Sequence, residues 1–108
     1  MTEHYSFDGL NTFDRVILVH GFGAGPHDHW FPWLARTVRH VEVPQLPHPE
    51  TPDASTWTST IAERIGTSPD GLAGLAIVTH SLGGLTALRA IERVIACGSP
   101  VNGDGRHL

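Results

Sequence analysis

Leu75-Ala-Ile-Val-Thr-His-Ser-Leu-Gly-Gly84 is the stretch that decides how this chain folds. Leu75 to Val78 is an unbroken apolar run, which suits a short strand covered on both faces. A tight turn of small residues, Ser81-Leu-Gly-Gly84, follows at once. Leu85, Leu88, Ile91 and Val94 then recur at helical spacing. A strand that passes into a helix through so short a turn is one half of a βαβ unit.

The other half lies upstream. Val16-Ile-Leu-Val19 is a second continuous apolar run, rich in β-branched residues, and it stops at the loop Gly21-Phe-Gly-Ala-Gly-Pro26. A helix is expected to open near Asp28, with Pro32 in its first turn, where a missing N–H costs least. Trp30, Trp33, Leu34 and Val38 are its expected apolar face. Val41-Glu-Val43 is a weaker strand candidate. Pro44-Gln-Leu-Pro-His-Pro-Glu-Thr-Pro52 has four prolines and is neither helix nor central strand. A further helix is then capped by Asp53 or Ser55, carries Trp57, Ile61 and Ile65 on one face, and ends at Gly66 in the left-handed conformation. Pro69-Asp-Gly71 reads as a turn.

Alternation of strand and helix predicts an α/β fold with a partial doubly wound parallel sheet. The expected strand order is 2-1-3, with a crevice between strands 1 and 3 at their carboxyl ends. Residues 1–14 read as an N-terminal tail, 15–94 as the partial α/β domain and 95–108 as an irregular C-terminal tail. No internal repeat is visible.

Composition narrows the class. The chain has 108 residues, 40% of them hydrophobic and 17% charged, as in an ordinary globular domain. Its net charge of -4 and scattered Lys and Arg residues give no basis for nucleic-acid binding. Cys97 stands alone, so no internal disulfide can form, and a reducing, cytoplasmic setting is expected. The first residues have no secretion-signal pattern. No apolar run approaches the about 18 residues of a membrane span.

Two motifs fall at the ends of strands 1 and 3. Thr79-His-Ser-Leu-Gly83 is a G-x-S-x-G elbow with Thr in the first glycine position. Such an elbow exposes its serine at a helix start, where the dipole favours negative charge. The Leu82 amide can then donate to an oxyanion. The same fragment also fits a plain turn with Ser81 as N-cap. His20-Gly-Phe-Gly23 shifts the balance, because an H-G-x-G loop after the first strand supplies a second oxyanion donor, the Phe22 amide. Catalytic Ser81, the oxyanion amides of Phe22 and Leu82, and the supporting residues His20, Gly21, Gly23, His80 and Gly83 form the candidate site. His80 and His20 read as structural groups rather than bases. His27 and His29 lack the further partners a metal would need, so no metal and no cofactor is implied. Trp30, Phe31 and Trp33 read first as core.

Val16-Ile-Leu-Val-His-Gly-Phe-Gly-Ala24, Asp28-His-Trp-Phe-Pro-Trp-Leu34, Val43-Pro-Gln-Leu-Pro47 and Thr79-His-Ser-Leu-Gly-Gly84 together resemble the small α/β-hydrolases related to retinoblastoma-binding protein nine. The resemblance covers about residues 15–94, the first half of such a protein. It implies a serine hydrolase acting on a small-molecule ester or amide, with a triad Asp and His in later loops. Asp104 and His107 are the late candidates here, but they are three residues apart and cannot reach separate strand ends. The chain is therefore expected to be a truncated N-terminal half, lacking the acid and base. Two other readings stay open. One is a non-catalytic remnant that binds a partner, or a second copy, through an open sheet edge. The other is an acyltransferase using the same nucleophile.

Overall fold

Strand β1, Arg15–Val19, forms the middle of the molecule. Val16, Ile17, Leu18 and Val19 are completely buried, as a continuous apolar run requires when both faces of a sheet are covered. The computed structural model describes residues 8–66 and 69–98. Strand β2, Val41–Glu42, and strand β3, Leu75–Thr79, flank β1 in the order β2-β1-β3. Both pair with it in parallel; Val16 lies beside Val41 on one side and Ala76 on the other. This is the expected 2-1-3 order.

The alternation of side chains along β1 divides the core. Val16 and Leu18 face helix α1, Phe31–Thr37, through Phe31, Leu34 and Val38. Ile17 and Val19 face helices α2, Ala54–Ile65, and α3, Gly83–Gly98, through Trp57, Ile61, Ile65, Ala87, Ala90 and Val94. Helices on both faces are what right-handed crossovers produce.

Local chemistry explains most of the boundaries. The Asp53 carboxylate accepts from the Thr56 amide at 3.1 Å and caps α2, so Asp53 and not Ser55 is the cap. Arg15 reaches across to donate to the Ile65 carbonyl at 3.2 Å and pairs with Glu42 at 3.4 Å, tying the start of β1 to β2 and the end of α2. Gly66 does close α2, but at φ 129 and ψ 174 rather than in the left-handed helical region. That conformation is open essentially to glycine alone.

Several expectations are corrected. Helix α1 starts at Phe31, not near Asp28, whose carboxylate instead takes the Gly25 amide at 2.8 Å and closes the preceding loop. Pro32 still falls in its first turn. The buried face of α1 is Phe31, Leu34 and Val38, spaced i, i+3, i+7; Trp30 precedes the helix, Trp33 points off that face, and both are exposed. Helix α3 buries Ala87, Ala90 and Val94, while Leu85 and Leu88 turn outward. The same helix continues through Ile95-Ala-Cys97 to Gly98, past the point where the apolar pattern had been expected to lapse. Within the expected N-terminal tail, Asp8–Thr12 forms a 3-10 turn whose Leu10 packs on the α1 side of the core. Among the described residues no helix is long and apolar enough to cross a membrane.

Candidate active site

The carboxyl ends of β1 and β3 run straight into the two motif loops. The His80 amide donates to the Val19 carbonyl at 3.1 Å, which extends the β1–β3 pairing to the brink of the elbow. Ser81 then takes φ 58, a left-handed conformation that costs a non-glycine residue about 1–2 kcal/mol. The turn closes with the Gly83 amide on the His80 carbonyl at 3.0 Å and the Gly84 amide on the Ser81 carbonyl at 3.1 Å. Ser81 is left exposed just before the first turn of α3.

Two glycines allow the loops to meet. A Cβ on Gly21 would stand 2.8 Å from Ser81 Cβ and 3.3 Å from the Leu82 nitrogen. A Cβ on Gly83 would fall onto the Val19 carbonyl oxygen and within 2.7 Å of the His20 carbonyl oxygen. The H-G-x-G loop and the elbow are thus in backbone contact, and any side chain at either glycine would force them apart. Neither the Phe22 nor the Leu82 amide donates a hydrogen bond to a described residue. N–H groups with no described partner, in two loops that pack together where an exposed serine precedes a helix, are suited to accepting negative charge.

His20 is fully buried and explains why the first loop holds its shape. The Leu46 amide donates to its Nε2 at 2.9 Å, so the ring proton must sit on Nδ1. Nδ1 faces the Gly21 carbonyl at 3.0 Å and donates to it. Across a trans peptide the N–H points opposite to the C=O, so a fixed Gly21 carbonyl directs the Phe22 amide away from the His20 ring. The proline-rich segment is tied into the same chain of contacts. Trp57 Nε1 donates to the Pro47 carbonyl at 2.7 Å, and the Trp57 ring meets His20 edge-on at 5.7 Å.

His80 packs into a cluster of aromatic rings. Its ring packs against His29 at 4.8 Å, Phe31 at 5.7 Å and Trp30 at 6.1 Å, and its Nδ1 is buried without a hydrogen-bond partner among the described residues. His27 and His29 are exposed, and His29 adopts φ 52 to reach His80. Gly23, at φ 68, donates its amide to the Pro49 carbonyl at 2.8 Å and faces the Glu50 carboxylate. Among the described residues no three His, Cys, Asp or Glu side chains converge as metal ligands would. Asp104 and His107 lie outside the described residues. The sequence reading overlooked the Trp57–Pro47–Leu46–His20 linkage, because no motif relates residues so far apart in the chain.

The serine hydrolase family matches residues 16–103, and the chain belongs to that family. The Bacillus subtilis (strain 168) protein YdeN, named as a hydrolase, is 29% identical over 84 residues, covering 74% of this chain and 43% of YdeN. The crystal structure of the B. subtilis ydeN gene product matches with a TM-score of 0.62 at 30% identity, over 74% of this chain and 44% of that one. The chain thus spans less than half the length of the relatives it matches.

Proposed function

We propose that this chain carries the nucleophile and oxyanion side of a hydrolase acting on carboxylic esters or amides. The observation that supports it most is Ser81, held at positive φ against Gly21 beside two unpartnered amides. In this reading Ser81 Oγ attacks the acyl carbonyl carbon. The carbonyl oxygen becomes an oxyanion held by the Phe22 and Leu82 amides and by the positive end of α3. The alcohol or amine leaves with a proton, giving an acyl-Ser81 that water then hydrolyses. The base that takes the Ser81 proton and the acid that orients it belong to the later part of a family-length fold. The four motif segments quoted above favour kinship with the retinoblastoma-binding protein nine-like group.

Acylation of Ser81 by p-nitrophenyl acetate, read by mass spectrometry of the intact chain, tests the proposal. No histidine among the described residues is hydrogen-bonded to Ser81, so the reaction is expected to be slow, since an oxyanion hole alone retains only part of the acceleration. Added imidazole, acting as an external base, should speed adduct formation at Ser81. Ser81→Ala should remove the adduct. Modification spread over other residues, or equal in Ser81→Ala, would refute the reading. Among the described residues no strand pairs with the outer side of β3, which favours one rival, a remnant that binds through its sheet edge, and absence of any Ser81 adduct is its expected outcome.

A further inference from the structure

A cavity of about 160 Å3 lies between the N-terminal ends of α2 and α3. Pro52, Ala54 and Trp57 form one wall, and Leu82, Leu85 and Thr86 the other. Its character is apolar. The Trp57 indole N–H is already given to Pro47, and the Thr86 hydroxyl turns back to the Leu82 carbonyl at 3.4 Å, so the wall is mostly ring and methyl surface, with Thr58 and Arg89 as its remaining polar side chains. Its position is specific as well. Leu82, the residue after Ser81, is part of the lining, and its amide is one of the two unpartnered donors. Leu82, Thr86 and Arg89 follow one another along the same face of α3. Arg89 therefore stands at the end away from Ser81, about 10 Å along the helix from Leu82 at 1.5 Å per residue.

We infer that this cavity is the acyl subsite of the Ser81 centre and takes an unbranched or phenyl-sized apolar group of about six carbons. The inference rests on the nucleophile reading given above. An apolar cavity of about 150 Å3 in another protein takes up benzene, which sets the scale. An acyl carbon bonded to Ser81 Oγ, with its oxygen toward the Phe22 and Leu82 amides, has Leu82 beside it. A short chain on that carbon then has apolar wall to follow over the first two turns of α3. A longer chain meets the Arg89 guanidinium and solvent. The groove on the other flank of the elbow, lined by Ile77, Thr79, Leu88 and Ile91, lies along the open side of β3 and does not include Leu82.

Two measurements on the intact chain test this. The first is labelling of Ser81 with alkyl fluorophosphonates from ethyl to decyl, in imidazole buffer. Labelling should quicken by about fourfold for each methylene that enters the cavity, from the free energy of burying a CH2, and level off near six carbons. Ala54→Phe, at an exposed wall position outside the elbow and the H-G-x-G loop, should flatten the series. The second is an NMR titration with methyl hexanoate. It should give saturable shifts at Leu85, Thr86 and the Trp57 indole that methyl acetate does not. A flat series in the unaltered chain, or one that Ala54→Phe leaves steep, overturns the subsite. Ready labelling by short probes with no shifts at those residues removes the subsite and keeps the nucleophile. Saturable shifts with no phosphonate taken up by Ser81 remove the nucleophile and, with it, the acyl role.

Discussion

Gly83→Ala and Gly84→Ala are adjacent, chemically identical changes that should act in opposite directions. Both replace the worst ordinary helix former with the best, a gain of up to about 1 kcal/mol. They differ in what the new methyl meets. At Gly84 the nearest atom is Thr79 Oγ1 at 3.4 Å, an ordinary contact. At Gly83 the methyl would overlap the Val19 carbonyl and lie 2.7 Å from the His20 carbonyl oxygen. Both of those are backbone atoms at the end of the fully buried central strand, so no rotamer change relieves them. Either α3 tilts away from β1 or the strand end moves. Overpacking of that kind costs about 1–3 kcal/mol, so a net loss of up to about 2 kcal/mol remains after the helix gain. For a domain of this size each kcal/mol moves Tm by about 4–8 °C. Gly83→Ala should therefore melt lower, by up to about 15 °C, and Gly84→Ala a few degrees higher, by circular dichroism at 222 nm. The Ser81 adduct rate should fall with the first and persist with the second. If both variants gained stability alike, the elbow could not lie against β1 as described, and the contact that sets the site would be refuted.

Other outcomes follow from the same contacts. Ser81→Gly should be more stable than Ser81→Ala by about 1 kcal/mol in urea unfolding, since only glycine relieves φ 58 and neither carries the hydroxyl; equal midpoints would show the elbow is unstrained. His20→Ala leaves the Leu46 amide buried without its acceptor and should cost about 1–3 kcal/mol. In the unaltered chain, nitrogen NMR should find the His20 proton on Nδ1, and a proton on Nε2 would contradict the Gly21 contact. Among the described residues no strand covers the outer side of β3, and Leu75 to Val78 carry no charge or proline to blunt it. Light scattering over a dilution series should show the mass rising with concentration, less so for Thr79→Lys; a constant monomer mass would remove that expectation.

Sequence determined the parts of this protein that depend on neighbours in the chain. The runs Val16–Val19 and Leu75–Val78 read as strands covered on both faces, and the strand–helix alternation then pointed to a parallel sheet. The spacing of Trp57, Ile61 and Ile65 fixed the inward face of α2, and the two motifs marked Ser81, Phe22 and Leu82 at strand ends. Periodicity failed where approach distance, not apolarity, chooses the buried residue. Helix α3 presses Gly83, Ala87 and Ala90 toward the sheet, because the elbow lies on β1, and so its larger leucines face outward. Trp30 and Trp33 were misplaced because the onset of α1 depends on Asp28 closing a loop, a contact that hydrophobic spacing does not encode. Only tertiary structure could show that Gly21 meets Ser81, that His20 is held between Leu46 and Gly21, and that α2 and α3 leave a cavity beside Leu82. Each of these joins residues from separate segments, and their meeting depends on strand order and register, which no local pattern carries.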